Sequence, residues 1–293
     1  MAVSSDIVGK VNEAFNFTID KFPLAGPDGL RTPWYGLFRS DSNEVVGKGS
    51  VTARYQPHQT DDVLALVEAS SAAFDGVADV RCFFRNGHYV AIQPTQEHRK
   101  AIFGTADNIF PRVIINAGYD GKSFRASMGY YRDLCRNLAI MRTVNGTSVC
   151  IRHTNGLRRK MDDLIETFSV LKEGWSTLTN VIESLENRRV NMVSFLNAVY
   201  GEPDQNSQRA VTMHRSRTES IFRRLHSERL RSGRPDLGSD WMVSGWEAYN
   251  AIQGFVQWDS RRHGNVGEMA RIVMAANDPA VSRAEELVMS MAA

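Results

Sequence analysis

The chain has 293 residues, of which 42% are hydrophobic and 23% charged, values that fit a globular protein able to bury one sizeable core or two smaller ones and that argue against disorder. No window holds the roughly 18 uninterrupted apolar residues that a bilayer crossing needs, and Met1 to Lys10 lacks the basic, apolar and cleavable parts of a leader, so a cytoplasmic protein with no membrane contact is expected. Three scattered cysteines, Cys82, Cys135 and Cys150, predict reduced thiols, and a formal charge of +2 is too small to imply a polyanionic partner unless the charge is locally concentrated.

In chain order, a short helix and a loop ending in the turn-rich Pro23 to Gly29 come first. Aromatic and β-branched stretches between Trp34 and Tyr55, split by Asp41 to Asn43, then predict a hairpin. Thr60 or Asp61 can cap a helix with Val63, Leu64, Leu66, Val67 and Phe74 on its apolar side, closing near Asp75-Gly76. Strands over Val80–Phe84 and His88–Gln93 flank Arg85-Asn86-Gly87, where the Asn-Gly pair supplies the backbone of a tight turn. Another strand is expected over Arg112–Ala117, a turn at Tyr119 to Lys122, a short helix or strand over Tyr130–Met141, and a closing strand over Val149–His153.

The pattern changes after Leu157. Leu157, Met161, Leu164, Phe168, Leu171, Trp175, Leu178, Ile182 and Leu185 alternate spacings of four and three, a heptad seam on a helix about 43 Å long. Such a stripe must be covered, either by helices of the same chain such as Val190 to Tyr200 or by a second copy, which would make a homo-oligomer. A helix over Val211–Arg231, a loop at Gly233 to Gly238, a helix from Trp241 to Trp258 capped by Ser239, and two amphipathic helices complete the chain. The fold class is therefore α+β, with an antiparallel sheet and covering helices over residues 1–155 and a helical region over 156–293.

Chemistry-bearing patterns are few. Between Gln208 and Arg234 stand eight arginines against two acids, Glu219 and Glu228. Arg217, Arg224 and Arg231 recur every seven residues, a column that could meet successive phosphates through bidentate contacts; a solvated helix face is the plain alternative. A second basic group gathers Arg132, Arg136, Arg152, His153, Arg158, Arg159 and Lys160, with Tyr130 and Tyr131 among them as possible stacking partners for an unpaired base. There is no Cys-x-x-Cys pair, no His-Glu-x-x-His helix, no complete phosphate loop and no Gly-x-Ser-x-Gly elbow, so no metal, cofactor or catalytic residue is expected.

The segments RVIINAGYDGKSFRASMGYYRDLCRNLAI, IRHTNGL and GSDWMVSGWEAYNAIQGFVQW resemble the phage- and plasmid-borne group catalogued as domain of unknown function 932, over roughly Trp34 to Trp258. The residues carrying the resemblance are Asn116, Asp120-Gly121, Cys135 with Asn137, the Arg152-His153 pair, and Trp246 with Asn250; Tyr119 stands where that family often has histidine. The resemblance implies a mobile-element setting. A looser similarity to the single-strand annealing proteins of phage recombination implies a non-catalytic protein holding single-stranded DNA in a basic groove. Two alternatives compete with it: an assembly factor that binds a protein partner through the seam, and an enzyme using His153 and Asp120.

Overall fold

The computed structural model describes residues 3–95, 99–102, 107–119, 124–135, 137–140, 146–151, 161–260 and 266–292. The chain divides into two compact units: Met1–Glu97, Arg112–Met128 and Gly146–Gly174 form the first, and His98–Pro111, Gly129–Asn145 and Trp175–Ala293 the second. The α+β class holds, with antiparallel sheets followed along the chain by helices. No helix among the described residues is long and apolar enough to cross a membrane.

Helix α1 (Ser5–Ala14), capped by the Ser4 hydroxyl, is followed by strands β1 (Ile19–Ala25), β2 (Arg31–Arg39) and β3 (Val45–Thr52), an antiparallel sheet of order β1-β2-β3. The expected hairpin thus has a third strand, β1, in a stretch whose Pro23 masks its strand character. Proline is tolerated because β1 is an edge. Period-two alternation turns Ile19, Leu37 and Val46 inward onto Tyr119, and leaves Phe22, Trp34 and Val45 exposed. Helix α2 (Thr60–Ala73) takes its cap one residue earlier than expected, at Gln59, whose backbone N–H is received by Asp62 at 2.9 Å. It stops where Asp75 and Gly76 enter the positive-φ region, at 60° and 126°.

A seven-stranded antiparallel sheet follows the order β10-β8-β7-β5-β4, with β6 on β7 and β9 on β8. Its strands are β4 (Val77–Phe84), β5 (Gly87–Pro94), β6 (Lys100–Ala101), β7 (Asn108–Gly118), β8 (Phe124–Arg132), β9 (Asn137–Ile140) and β10 (Ser148–Ile151). Asn86, at φ 53°, makes the β4–β5 turn as its sequence predicts. The stretch from Tyr130 resolves into the end of β8 and all of β9.

Helix α3 (Met161–Asn187) carries the heptad seam. Leu164, Phe168, Leu171, Trp175, Leu178, Ile182 and Leu185 are all buried within the single chain, while Leu157 lies outside the described residues. From Leu164 to Leu185 the seam is therefore covered within the chain, as the alternative of packing by helices of the same chain expects. Beyond it lie β11 (Arg189–Asn191), α4 (Met192–Tyr200), α5 (Gln208–Arg231), β12 (Met242–Ser244), α6 (Gly245–Gly254), α7 (Glu268–Ala275) and α8 (Pro279–Ala292). The helix expected from Trp241 starts later, because residues 242–244 pair with β11. Ser244, not Ser239, is its cap, in a reciprocal box with Glu247. All ten residues of α6 are buried, and a single π-helical turn, Phe255–Asp259, follows it.

Candidate nucleic-acid interface

In the second unit, the arginines fall into two sets. Strand alternation puts Arg132 on the same side of β8 as Tyr130, and Arg132 is only 3% exposed. Its Nε donates to both oxygens of Asp107, at 2.9 and 2.8 Å, and its Nη1 donates to Glu228 of α5. Burial works against the Arg132 charge, but the Glu228 and Asp107 carboxylates outweigh it and hold the guanidinium charged far up the pH scale. Arg224 completes the network, meeting Glu228 at 3.3 Å and gripping Asp259 with two bonds of 2.7 and 3.0 Å. Such bidentate pairing leaves neither arginine a free edge for a phosphate.

Four residues marked by the family resemblance collect around this network. Cys135 accepts a weak hydrogen bond from Arg132 at 3.6 Å. Asn137 receives the indole N–H of Trp258 at 3.0 Å and donates to the Asn250 carbonyl; Asn250 receives the Tyr130 hydroxyl at 3.2 Å and donates to the Trp246 carbonyl. Gly254 is closely approached here: a Cβ would sit 2.9 Å from Asn137 Nδ2 and 3.0 Å from Arg224, so both side chains would have to shift. Burial pushes the Cys135 thiol up to about 11 despite the neighbouring Arg132, so at neutral pH it is a protonated, inert thiol. A parallel network ties Arg229 to Glu247 at 2.6 Å and Arg234 to Glu186, which also accepts from Ser244 at 2.8 Å.

The acids that neutralise the arginine-rich segment thus come from distant elements. Of the predicted column, Arg224 is held inside, Arg217 lies 4.3 Å over the ring of Tyr200, and Arg231 is exposed, donating to the Leu134 carbonyl and to the carbonyl and hydroxyl of Ser227. A seven-residue repeat drifts only about 20° per step around a straight helix, so the three share one flank of α5, and what separates them is the neighbour that each one meets. What α5 does show to solvent is Arg209, Arg215, Arg223 and Arg231. Arg215 is paired with Glu219 at 2.9 Å; Arg209 and Arg223 have no carboxylate partner among the described residues. Of the other predicted positions, Arg136, Arg152, His153, Arg158, Arg159, Lys160, Asp120 and Gly121 lie outside the described residues, and Asn116 is half-buried on β7 opposite Tyr89. Among the described residues no three His, Cys, Asp or Glu side chains converge as metal ligands.

The first unit holds a polar cluster that nothing in the sequence pattern singles out. His58, in the loop before α2, and His88, on β5, are both buried, with His58 Nε2 3.2 Å from His88 Nδ1 and 3.1 Å from the Ala117 carbonyl. A carbonyl only accepts, so His58 carries its proton on Nε2, and His88 Nδ1 receives it as a lone pair. That leaves the His88 proton on Nε2, which is buried without a partner. Tyr119 stacks on His58 at 4.0 Å and donates its hydroxyl to the His58 carbonyl at 2.7 Å. Phe15, Phe17 and Phe84 close around His88, and Phe124 packs on His58. Burial, and then the positive charge of Arg39, lower His88 to about 3, while burial raises the Tyr119 phenol well above its ordinary range.

Among the protein families, the model described as Domain of unknown function (DUF932) matches residues 48–288, from within β3 to within α8. No curated protein and no solved structure matches the chain.

Proposed function

The chain belongs to the DUF932 family, and we propose that it is a non-catalytic protein that binds single-stranded DNA, of the kind that holds or anneals strands during recombination or replication in a phage or plasmid setting. The observation that carries this reading is the solvent face of α5. Exposed guanidiniums from Arg209 to Arg231 span about 33 Å at 1.5 Å per residue, a reach that covers several phosphates of an extended strand. The buried arginines serve the fold instead. Arg224, Arg229 and Arg234 tie α5 and the turn after it to carboxylates of the π-helical turn, α6 and α3, and Arg132 of β8 reaches Glu228 of α5, fixing the exposed face.

Fluorescence anisotropy of nuclease-treated protein with labelled oligo(dT) across a salt series, with duplex DNA and RNA as competitors, tests it. Binding should weaken steeply with salt, and the joint substitution of Arg209→Gln and Arg223→Gln should lower the log–log slope by about 1.4, or about 0.7 per lost phosphate contact. Salt-independent or absent binding by the wild type removes the reading. The function would then pass to a protein contact, for which the exposed Phe22, Trp34 and Val45 of the β1–β3 sheet are the residues to probe.

A further inference from the structure

Trp241, in the turn between α5 and β12, has two properties that packing does not explain. Its backbone is left-handed, with φ 55°, a conformation that glycine and asparagine take cheaply and a bulky side chain rarely adopts. Its side chain is nonetheless not a core group, for Trp241 is 43% exposed. The turn is held in this shape from both sides: Trp241 N–H donates to the Gly238 carbonyl at 3.1 Å, and the Trp241 carbonyl receives Met192 N–H, at the start of α4, at 2.9 Å. Asn191 donates to the Asp240 carbonyl at 2.8 Å, and the Asp240 carboxylate accepts Met242 N–H at 3.2 Å. A firmly tied backbone that maintains a half-exposed tryptophan against its conformational preference is where strain points to function.

The surroundings fit one class of ligand. The indole meets the ring of Phe222 of α5 edge to face, with centroids 5.1 Å apart, which fixes one edge and leaves ring surface to solvent. Phe222 is followed by the exposed Arg223, and the exposed Arg189 is positioned by its bond to the Met242 carbonyl at 2.7 Å, one residue past the tryptophan. Neither arginine has a carboxylate partner among the described residues. The nearby acids are engaged: Glu219 by Arg215, Asp236 by His226 at 2.8 Å, and Asp240 by the turn. An exposed aromatic ring whose neighbours in the chain and across the strand pair carry guanidiniums without carboxylate partners suits a nucleobase and its phosphates, because stacking tolerates any base and the cations take the backbone.

We propose that Trp241 is the base-stacking residue of the α5 site, taking one unpaired base against its ring while Arg189 and Arg223 hold the flanking phosphates. This rests on the single-strand reading above and names where the strand is gripped. Stacking carries no counterions, so its loss should weaken binding without changing the salt slope, which separates it from the arginines.

The test compares wild type, Trp241→Asn and Trp241→Tyr with labelled oligo(dT) across the same salt series. Asparagine accepts the left-handed backbone and lacks the ring; tyrosine keeps a ring. Trp241→Asn should bind about 5- to 150-fold more weakly with the slope unchanged, and Trp241→Tyr should recover most of the affinity. Wild-type binding that Trp241→Asn reproduces in full overturns the stacking residue alone, whereas a wild type without salt-dependent binding overturns the single-strand reading and this site with it. Should Trp241→Asn fail to fold, tryptophan quenching by oligo(dT) decides instead. Quenching in wild type that is lost in Trp241→Tyr supports the assignment, and equal quenching in both overturns it.

Discussion

Acid should unfold the first unit through its buried histidine pair before its carboxylates alone would do so. His88 has a folded value of about 3 against 6.5 for the free side chain. Its depressed value means that the folded state resists protonation, so the stability is fully present above about 6.5 and is lost as pH falls from there toward 3. At pH about 4.5 the loss is two pH units of linkage, about 2.7 kcal/mol, a large share of the ordinary margin of a domain. The geometry supplies the mechanism. A second proton on His88 goes to Nδ1, where it would face the Nε2 proton of His58 across 3.2 Å, inside a ring of Phe15, Phe17, Phe84 and Phe124. The charged groups nearest the cage do not help: Arg39 lies over Phe17 and Phe84 and adds repulsion, and the Asp62 carboxylate is taken by the Gln59 backbone. Urea unfolding of wild type and His88→Gln, followed at pH about 7.5 and about 4.5, isolates this contribution from the general titration of carboxylates. Wild type should lose about 2.7 kcal/mol more than the variant over that interval. Equal losses in the two proteins would refute the assignment of His88 as a neutral, strained group.

In the second unit, Asp107→Asn should cost about 3 to 5 kcal/mol in chemical denaturation, because it strips a buried guanidinium of one of its two carboxylates. In an Arg132→Met background the same change should cost far less, and a double-mutant cycle that gives no coupling would show the pair to be unlinked. Gly254→Ala should destabilise by about 1 to 3 kcal/mol through overpacking against Asn137 and Arg224. A gain in stability, as expected for alanine at an ordinary helix position, would mean that the contact relaxes.

Local pattern made the elements legible and charge counting made the site misleading, for a common reason: periodicity is a property of neighbours in sequence, whereas ion pairing is a property of neighbours in space. The heptad seam of α3, the Asn86 turn and the helix at residues 208–231 are all visible within short windows. Strand β1 is not, since Pro23 and the flanking turn residues mimic a loop, and its place is set by pairing with β2. The excess of arginine between residues 208 and 234 reads as a free basic surface only while Glu186, Glu247 and Asp259 are out of view; each belongs to another element. Two signals in the sequence did bear on which arginines turn inward. Arg132 shares the parity of Phe124, Ala126, Met128 and Tyr130 along β8, and Arg229 stands four residues after Leu225 on the side of α5 that buries Ile221. Read by face instead of by count, those two are interior groups and must find carboxylates, whereas Arg209 and Arg223, a double heptad apart, fall away from that side. The distinction matters for function, because only guanidiniums left over after the fold has been neutralised can serve a phosphate, and on α5 that remainder includes Arg223, next in sequence to the Phe222 that packs edge to face with the exposed ring of Trp241.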